Sequence, residues 1–147
     1  MYSITKNFKF EASHRLFNMP KGHPCGNLHG HSYVVKVTIS TEELNNQCMV
    51  TDFGNLKPFQ IWLDVNFDHA TILNLKDTKL YEALKSFDFK ITTMPNGDPT
   101  AENMAELFCG KIRDIAYNLK IDYVNISIEV FETVGNSATY THNVSKN

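Results

Sequence analysis

Val124, Ile126, Ile128 and Val130 occupy every second position between Tyr123 and Thr133, and this period-two pattern constrains the fold more than any other feature. A strand built this way has one apolar face, which a second layer must cover. The chain carries such a layer just upstream. Met104, Leu107, Phe108, Ile112, Ile115 and Leu119 form one stripe of a helix that opens at Pro99-Thr100. Thr100 is its expected N-cap, and Glu102 suits the positive N-terminal end.

The N-terminal third repeats the strand signal. Phe8, Phe10, Ala12 and His14 share one parity in a strand from Tyr2 to about His14. A loop dense in Pro and Gly follows, Asn18 to Asn27. Then Val34, Val35, Val37, Thr38 and Ile39 give a strand from about His29 to Ser40 strong β character. Asn45-Asn46 predicts a turn into a short strand from Cys48 to Thr51. Asp52 is the expected N-cap of a helix with Pro58 early and Leu56, Phe59, Leu63 and Phe67 along it. Leu80, Leu84 and Phe87 predict a short helix, Lys90 to Pro95 a short edge strand, and the polar tail after about Tyr140 a frayed end. Two strands, two helices and a returning strand are neither a βαβ repeat nor an all-β pattern. They predict an α+β layer, an antiparallel sheet with helices on one face, as a single domain over residues 1–147.

Bulk properties exclude several classes. With 147 residues the chain suits one domain with a sizeable core. Net charge is −2 and lysines and arginines do not cluster, so no nucleic-acid surface is indicated. No apolar run is long enough for a membrane span, and the N-terminus lacks a signal-peptide pattern. Cys25, Cys48 and Cys109 are odd in number and widely spaced, which fits a reducing, cytoplasmic setting rather than a disulfide framework.

Chemistry concentrates in Cys25-Gly-Asn-Leu-His29-Gly-His31, with His14 upstream. In an extended segment, residues at i and i+2 point to one face, so the rings of His29 and His31 can reach a single ion at roughly 2.0–2.1 Å. Three histidines with a fourth position left open describe a catalytic zinc site. Gly30 lets backbone or substrate approach between the two rings. Cys25 is open to three uses: a fourth ligand closing a structural site, a thiolate activated beside the metal, or an inert loop residue. Cys48 and Cys109 read as small packing residues.

Two further positions carry chemical interest. Asp68-His69 is either structural or a general acid/base with an orienting carboxylate. Glu132 shares the parity of Ile126, Ile128 and Val130, which points it toward the apolar side. It either lies past the buried part of its strand, pairs with a basic residue, or anchors a ligand bearing adjacent N–H donors.

Together these segments resemble the 6-pyruvoyl-tetrahydropterin synthase/QueD superfamily: Phe8-Lys-Phe-Glu-Ala-Ser-His14, Cys25-x-x-x-His29-Gly-His31, Val50-Thr-Asp-Phe53, Phe67-Asp68-His69, Pro99-Thr100-Ala-Glu102-Asn103 and Phe131-Glu132-Thr133, in that order. The resemblance implies a tunnelling fold, a four-stranded antiparallel sheet with two helices on one side. It implies trimers or hexamers joined through their sheets, with active sites at subunit interfaces. It further implies that His14, His29 and His31 hold Zn2+ and that Cys25 abstracts a proton. Asp68 and His69 would form a relay, reaching the site from a neighbouring subunit. Glu132 would hold the 2-amino and N3–H edge of a pterin triphosphate substrate, with Thr100 and Glu102 lining that pocket. The three-residue spacer between Cys25 and His29 looks like the 6-carboxytetrahydropterin-forming branch, since the pyruvoyl-forming branch usually carries a longer one. The implied reaction converts 7,8-dihydroneopterin triphosphate to 6-carboxy-5,6,7,8-tetrahydropterin, acetaldehyde and triphosphate. The bland alternative is a non-catalytic, zinc-stabilised binding module. Arg15 and Lys21 are candidates for the triphosphate, and the segment from Leu75 to Asp98 is longer than in compact members of that branch.

Overall fold

The computed structural model describes residues 1–144, in the order β1 (Tyr2–His14), β2 (His29–Thr41), α1 (Lys57–Asn66), β3 (Ala70–Asn74), α2 (Thr78–Lys85), β4 (Ile91–Met94), α3 (Ala101–Asn118), β5 (Asn125–Thr133) and β6 (Asn136–Asn143). One sheet contains all the strands, ordered β4-β3-β1-β2-β5-β6. Strands β1, β2, β5 and β6 pair antiparallel, and α1 and α3 pack on them. That is the expected α+β layer. The sheet nonetheless has six strands rather than four and is mixed, because β3 runs parallel to β1 and β4 parallel to β3. Helix α2 connects those last two strands, as parallel neighbours require a crossover.

Strand parity decides what is buried. Phe8, Phe10 and Ala12 on β1, Tyr33, Val35, Val37 and Ile39 on β2, and Ile126, Ile128 and Val130 on β5 all face the helices. Phe59 and Leu63 of α1 and Met104, Phe108, Cys109 and Ile112 of α3 close the core over them. Phe108 sits edge-on to Phe10, Phe59, Phe67 and Trp62, and Phe10 stacks on Tyr33 at 4.8 Å between ring centroids. Burial of each such side chain contributes about 1.5–3 kcal/mol.

Helix α3 begins as expected, with Thr100 Oγ1 accepting from Asn103 N–H. Asp52 caps a 3-10 turn, Phe53–Leu56, that leads into α1 rather than capping α1 itself. Cys48 to Thr51 is not a strand. Asn45 Oδ1 accepts from the N–H of Gln47 and Met49, and Cys48 adopts φ +60°, so the side chain of Asn45 winds this segment into a turn. Helix α2 buries none of its residues, and Phe87 lies beyond its end, exposed and stacked on Phe89. The tail expected to fray forms β6 as far as Asn143, held by pairing to β5; residues 145–147 lie outside the described residues.

Candidate active site

The core face of the sheet changes character at one end. Beyond Phe8, Phe10 and Ala12, the next inward position of β1 is His14; beyond Tyr33, those of β2 are His31 and His29; beyond Val130, that of β5 is Glu132. Antiparallel pairing sets His14 opposite His29 and Ala12 opposite His31. Between them Ser13 faces Gly30, where a Cβ would meet the Ala12 carbonyl oxygen at 3.3 Å. Glycine therefore lets the strands close up beneath the rings. Ring nitrogens of His14, His29 and His31 that could hold a metal ion all lie within 4.8 Å of one another.

Proton placement follows from the neighbours. His14 Nδ1 is 2.8 Å from the Pro99 carbonyl oxygen, and His29 Nδ1 is 2.7 Å from that of Asn27. A carbonyl only accepts, so both Nδ1 atoms carry hydrogen, and in the neutral imidazoles both Nε2 atoms present lone pairs. Those Nε2 atoms face each other at 3.1 Å. Two lone pairs at that distance repel unless a cation lies against them. His31 Nε2 is buried without a hydrogen-bond partner, with Glu132 Oε1 3.5 Å away. Burial lowers the pKa of His14 and of His31, favouring the neutral form that ligates metals. The donor set thus fits a divalent transition metal of the kind imidazoles bind.

Around this trio, Tyr33 and Glu132 complete the polar end of the core. The Tyr33 hydroxyl is 3.2 Å from His14 Nδ1, and burial pushes the phenol well above its usual range, so it stays neutral. Glu132 Oε2 is 3.9 Å from His14 Nε2. Its side chain is 27% exposed, enough to meet a ligand from outside. Lys36 pairs with Glu129, leaving Glu132 turned toward the histidines.

Cys25 sits in a short 3-10 turn, Pro24–Gly26, half-buried. Its N–H donates to His23 Nδ1, and its carbonyl accepts from Leu16 N–H at 2.8 Å. Among the described residues, the metal-competent cluster comprises the three histidines and does not include Cys25. Thr100 stands next to Pro99, whose carbonyl holds His14, whereas Glu102 is exposed in the first turn of α3.

Asp68 and His69 do touch each other. His69 Nδ1 is 2.8 Å from Asp68 Oδ2, while Asp68 Oδ1 accepts the N–H of Glu11. That backbone hydrogen bond, with His69 beside it, holds the Asp68 carboxyl below its usual range. His69 is held at φ +57° with its N–H on the Glu11 carbonyl, and its side chain is 78% exposed. It lines a cavity of about 470 Å³ together with Glu11, Ser13, Ser32 and Thr71. On β1 and β2, Glu11, Ser13 and Ser32 have the opposite parity to the three histidines, while Ala12, Gly30 and His31 complete the same wall, so the cavity runs from the dyad to the edge of the histidine cluster.

Sequence reasoning passed over three participants. Tyr33 was visible in principle, as it continues the alternation of His29 and His31 into Val35. Pro99 and Asp98 act through a carbonyl and through loop contacts, for which a sequence has no pattern. Arg15, a candidate for the triphosphate, instead forms a two-pronged pair with the buried Asp77, and that pair raises its pKa.

Residues 3–143 match the protein-family model described as 6-pyruvoyl tetrahydropterin synthase. A 6-carboxy-5,6,7,8-tetrahydropterin synthase of Rickettsia bellii is 33% identical over 136 residues, covering 90% of this chain and 95% of the relative. One of the same name from Aquifex aeolicus is 36% identical over 124 residues, covering 73% and 76%. Among solved structures, an uncharacterized Wolinella succinogenes protein superposes with a TM-score of 0.80 at 23% identity, covering 95% of this chain and 97% of that one. A 6-pyruvoyltetrahydropterin synthase of Plasmodium vivax gives 0.74 at 18% identity, covering 97% and 98%. Both likenesses bear on the fold.

Proposed function

The chain belongs to the 6-pyruvoyl tetrahydropterin synthase family, and on that premise we propose that it is a zinc-dependent 6-carboxy-5,6,7,8-tetrahydropterin synthase. The substrate is 7,8-dihydroneopterin triphosphate, and the products are 6-carboxytetrahydropterin, acetaldehyde and triphosphate, with a water taken up. The observation that carries this reading is Glu132 set 3.5 Å from His31 at the rim of the three-histidine cluster. A carboxylate there can grip the adjacent N–H donors of a pterin edge while the substrate side chain lies over the histidines.

In this reading His14, His29 and His31 hold the ion. A bound divalent ion supplies Lewis acidity toward side-chain oxygens. Glu132 orients the ring by accepting from its 2-amino and N3–H groups, and Thr100 and Glu102 border that pocket. Cys25 takes a proton from the side-chain carbon. Asp68 orients His69, which moves a second proton. The dihydropterin ring gains the electrons that the side chain gives up, so no nicotinamide or flavin is required.

The reading includes a homo-oligomer, trimeric or hexameric, in which the exposed Asp68–His69 dyad serves a neighbour's site. Its exposure supports that role. Three free cysteines support a reducing, cytoplasmic setting. No helix among the described residues is long and apolar enough to cross a membrane. Incubating the zinc-loaded protein with dihydroneopterin triphosphate tests the whole. Acetaldehyde released with triphosphate is the expected result. Triphosphate without acetaldehyde would assign the pyruvoyl-forming reaction instead, and no consumption of substrate would exclude both.

A further inference from the structure

Four consecutive residues after the ligand His14 are each tied down, and three of the four ties come from the segment between Leu75 and Asp98. Arg15 reaches Asp77 through two guanidinium nitrogens, Nη2 at 2.7 Å from Oδ1 and Nε against Oδ2; Asp77 itself is 1% exposed. Leu16 N–H donates to the carbonyl of Cys25. Phe17 and Asn18 N–H groups donate to the two carboxylate oxygens of Asp98, each at 2.8 Å. Asp98 is braced in turn. Its Oδ1 accepts from Asn74 Nδ2 at 2.9 Å, and its carbonyl accepts from Thr100 N–H and from Asn103 Nδ2.

The next residue is Pro99, whose carbonyl fixes the His14 ring. One dipeptide therefore sets both partners of the proposed chemistry. Asp98 locates the strand of loop to which Cys25 is bonded, and Pro99 locates the first metal ligand. We propose that Asp98 is a positioning residue for Cys25: its carboxylate fixes the Phe17–Asn18 backbone and, through Leu16, the place of the thiol relative to the three histidines. This rests on the reading of Cys25 as the proton-abstracting group. It gives the long Leu75 to Asp98 segment a task, that of a strap across the thiol loop, with Asp77 and Asp98 as its two fastenings. A carboxylate suits the task because it accepts two backbone N–H groups and an amide together, which no neutral side chain of that length does.

The test is Asp98→Ala in the zinc-loaded protein, with Asp98→Asn as the milder variant that keeps one accepting oxygen. For Asp98→Ala, kcat is expected to fall about 100-fold, the scale of an ångström-sized misplacement, with KM little changed and bound zinc unchanged. Asp98→Asn is expected to fall between it and the wild type, which also serves should the alanine variant fail to fold. Iodoacetamide labelling resolved by peptide mapping gives a second readout independent of turnover, with the exposed Cys48 as internal reference. The Cys25-to-Cys48 labelling ratio is expected to shift several-fold in Asp98→Ala and less in Asp98→Asn. Wild-type kcat and a wild-type labelling ratio in both variants would overturn the proposal. So would equal losses of zinc, folded fraction and kcat, which mark a general structural role. If the wild type itself leaves dihydroneopterin triphosphate untouched, the functional reading falls, while the labelling ratio still decides whether Asp98 positions Cys25.

Discussion

His14 donates its Nδ1 hydrogen to the carbonyl oxygen of Pro99 across 2.8 Å, so a residue of α3's approach dictates which nitrogen of a β1 ring is free. The Tyr33 hydroxyl stands 3.2 Å from the same nitrogen.

Removing that hydroxyl should loosen the ring without unfolding the core, because phenylalanine keeps the stack on Phe10. Tyr33→Phe is expected to weaken zinc binding by about 10-fold, the lower end of what outer partners of ligating histidines contribute. His31→Ala, which removes a donor outright, is expected to cost more than about 100-fold, beyond the range of outer partners. Competition with a chelator of known affinity at neutral pH measures both.

Cys25→Ala separates a base from a ligand. The half-buried thiol lies outside the histidine cluster, so the variant is expected to keep its zinc and its melting temperature. Turnover should drop by about 100-fold to 10,000-fold, the usual contribution of a positioned proton acceptor. Loss of zinc in this variant would instead identify a closed, structural site.

Glu132→Gln keeps the shape of the side chain and removes its charge. Charge-assisted hydrogen bonds contribute about 1.5–3 kcal/mol, so KM for the pterin substrate is expected to rise by about 10-fold to 100-fold. Initial-rate kinetics check it. An unchanged KM would move Glu132 from ring binding to the metal's surroundings.

Asp68 sets a pH dependence. Its folded pKa is lowered below the unfolded one, chiefly by the Glu11 N–H. The stabilisation it gives is therefore complete above the ordinary carboxylate value and is lost as pH falls through the lower, folded value. Asp68→Asn should be less stable than wild type at pH 7, and the difference should close in acid. Urea midpoints of both proteins between pH 7 and pH 3 follow it.

Strong local patterns made much of this molecule legible. β1, β2, α3 and β5 were readable because alternation or a helical stripe persists over most of their length, and the histidines simply continue those patterns. β3 was not, since all five of its residues are buried and leave no alternation to detect. β6 was obscured for the opposite reason: as an edge strand it offers only Ala138, Tyr140 and His142 half-buried, among polar neighbours. The Cys48 segment misled because Asn45 spends its side chain on two backbone N–H groups, and such local bonding outweighs strand propensity. The contacts of Asp98 and Pro99 join residues 80 and 85 positions apart, a separation that no local pattern encodes.

That separation also orders events on a growing chain. The β1–β2 hairpin brings His14 opposite His29, 15 positions apart in the chain, as soon as Thr41 has emerged. The Pro99 carbonyl that assigns His14 its tautomer arrives some 60 residues later in synthesis, several seconds at typical elongation rates. His29 draws its own partner, the Asn27 carbonyl, from two residues away, so of these two facing rings it is His14 alone whose orientation waits for the distant part of the chain.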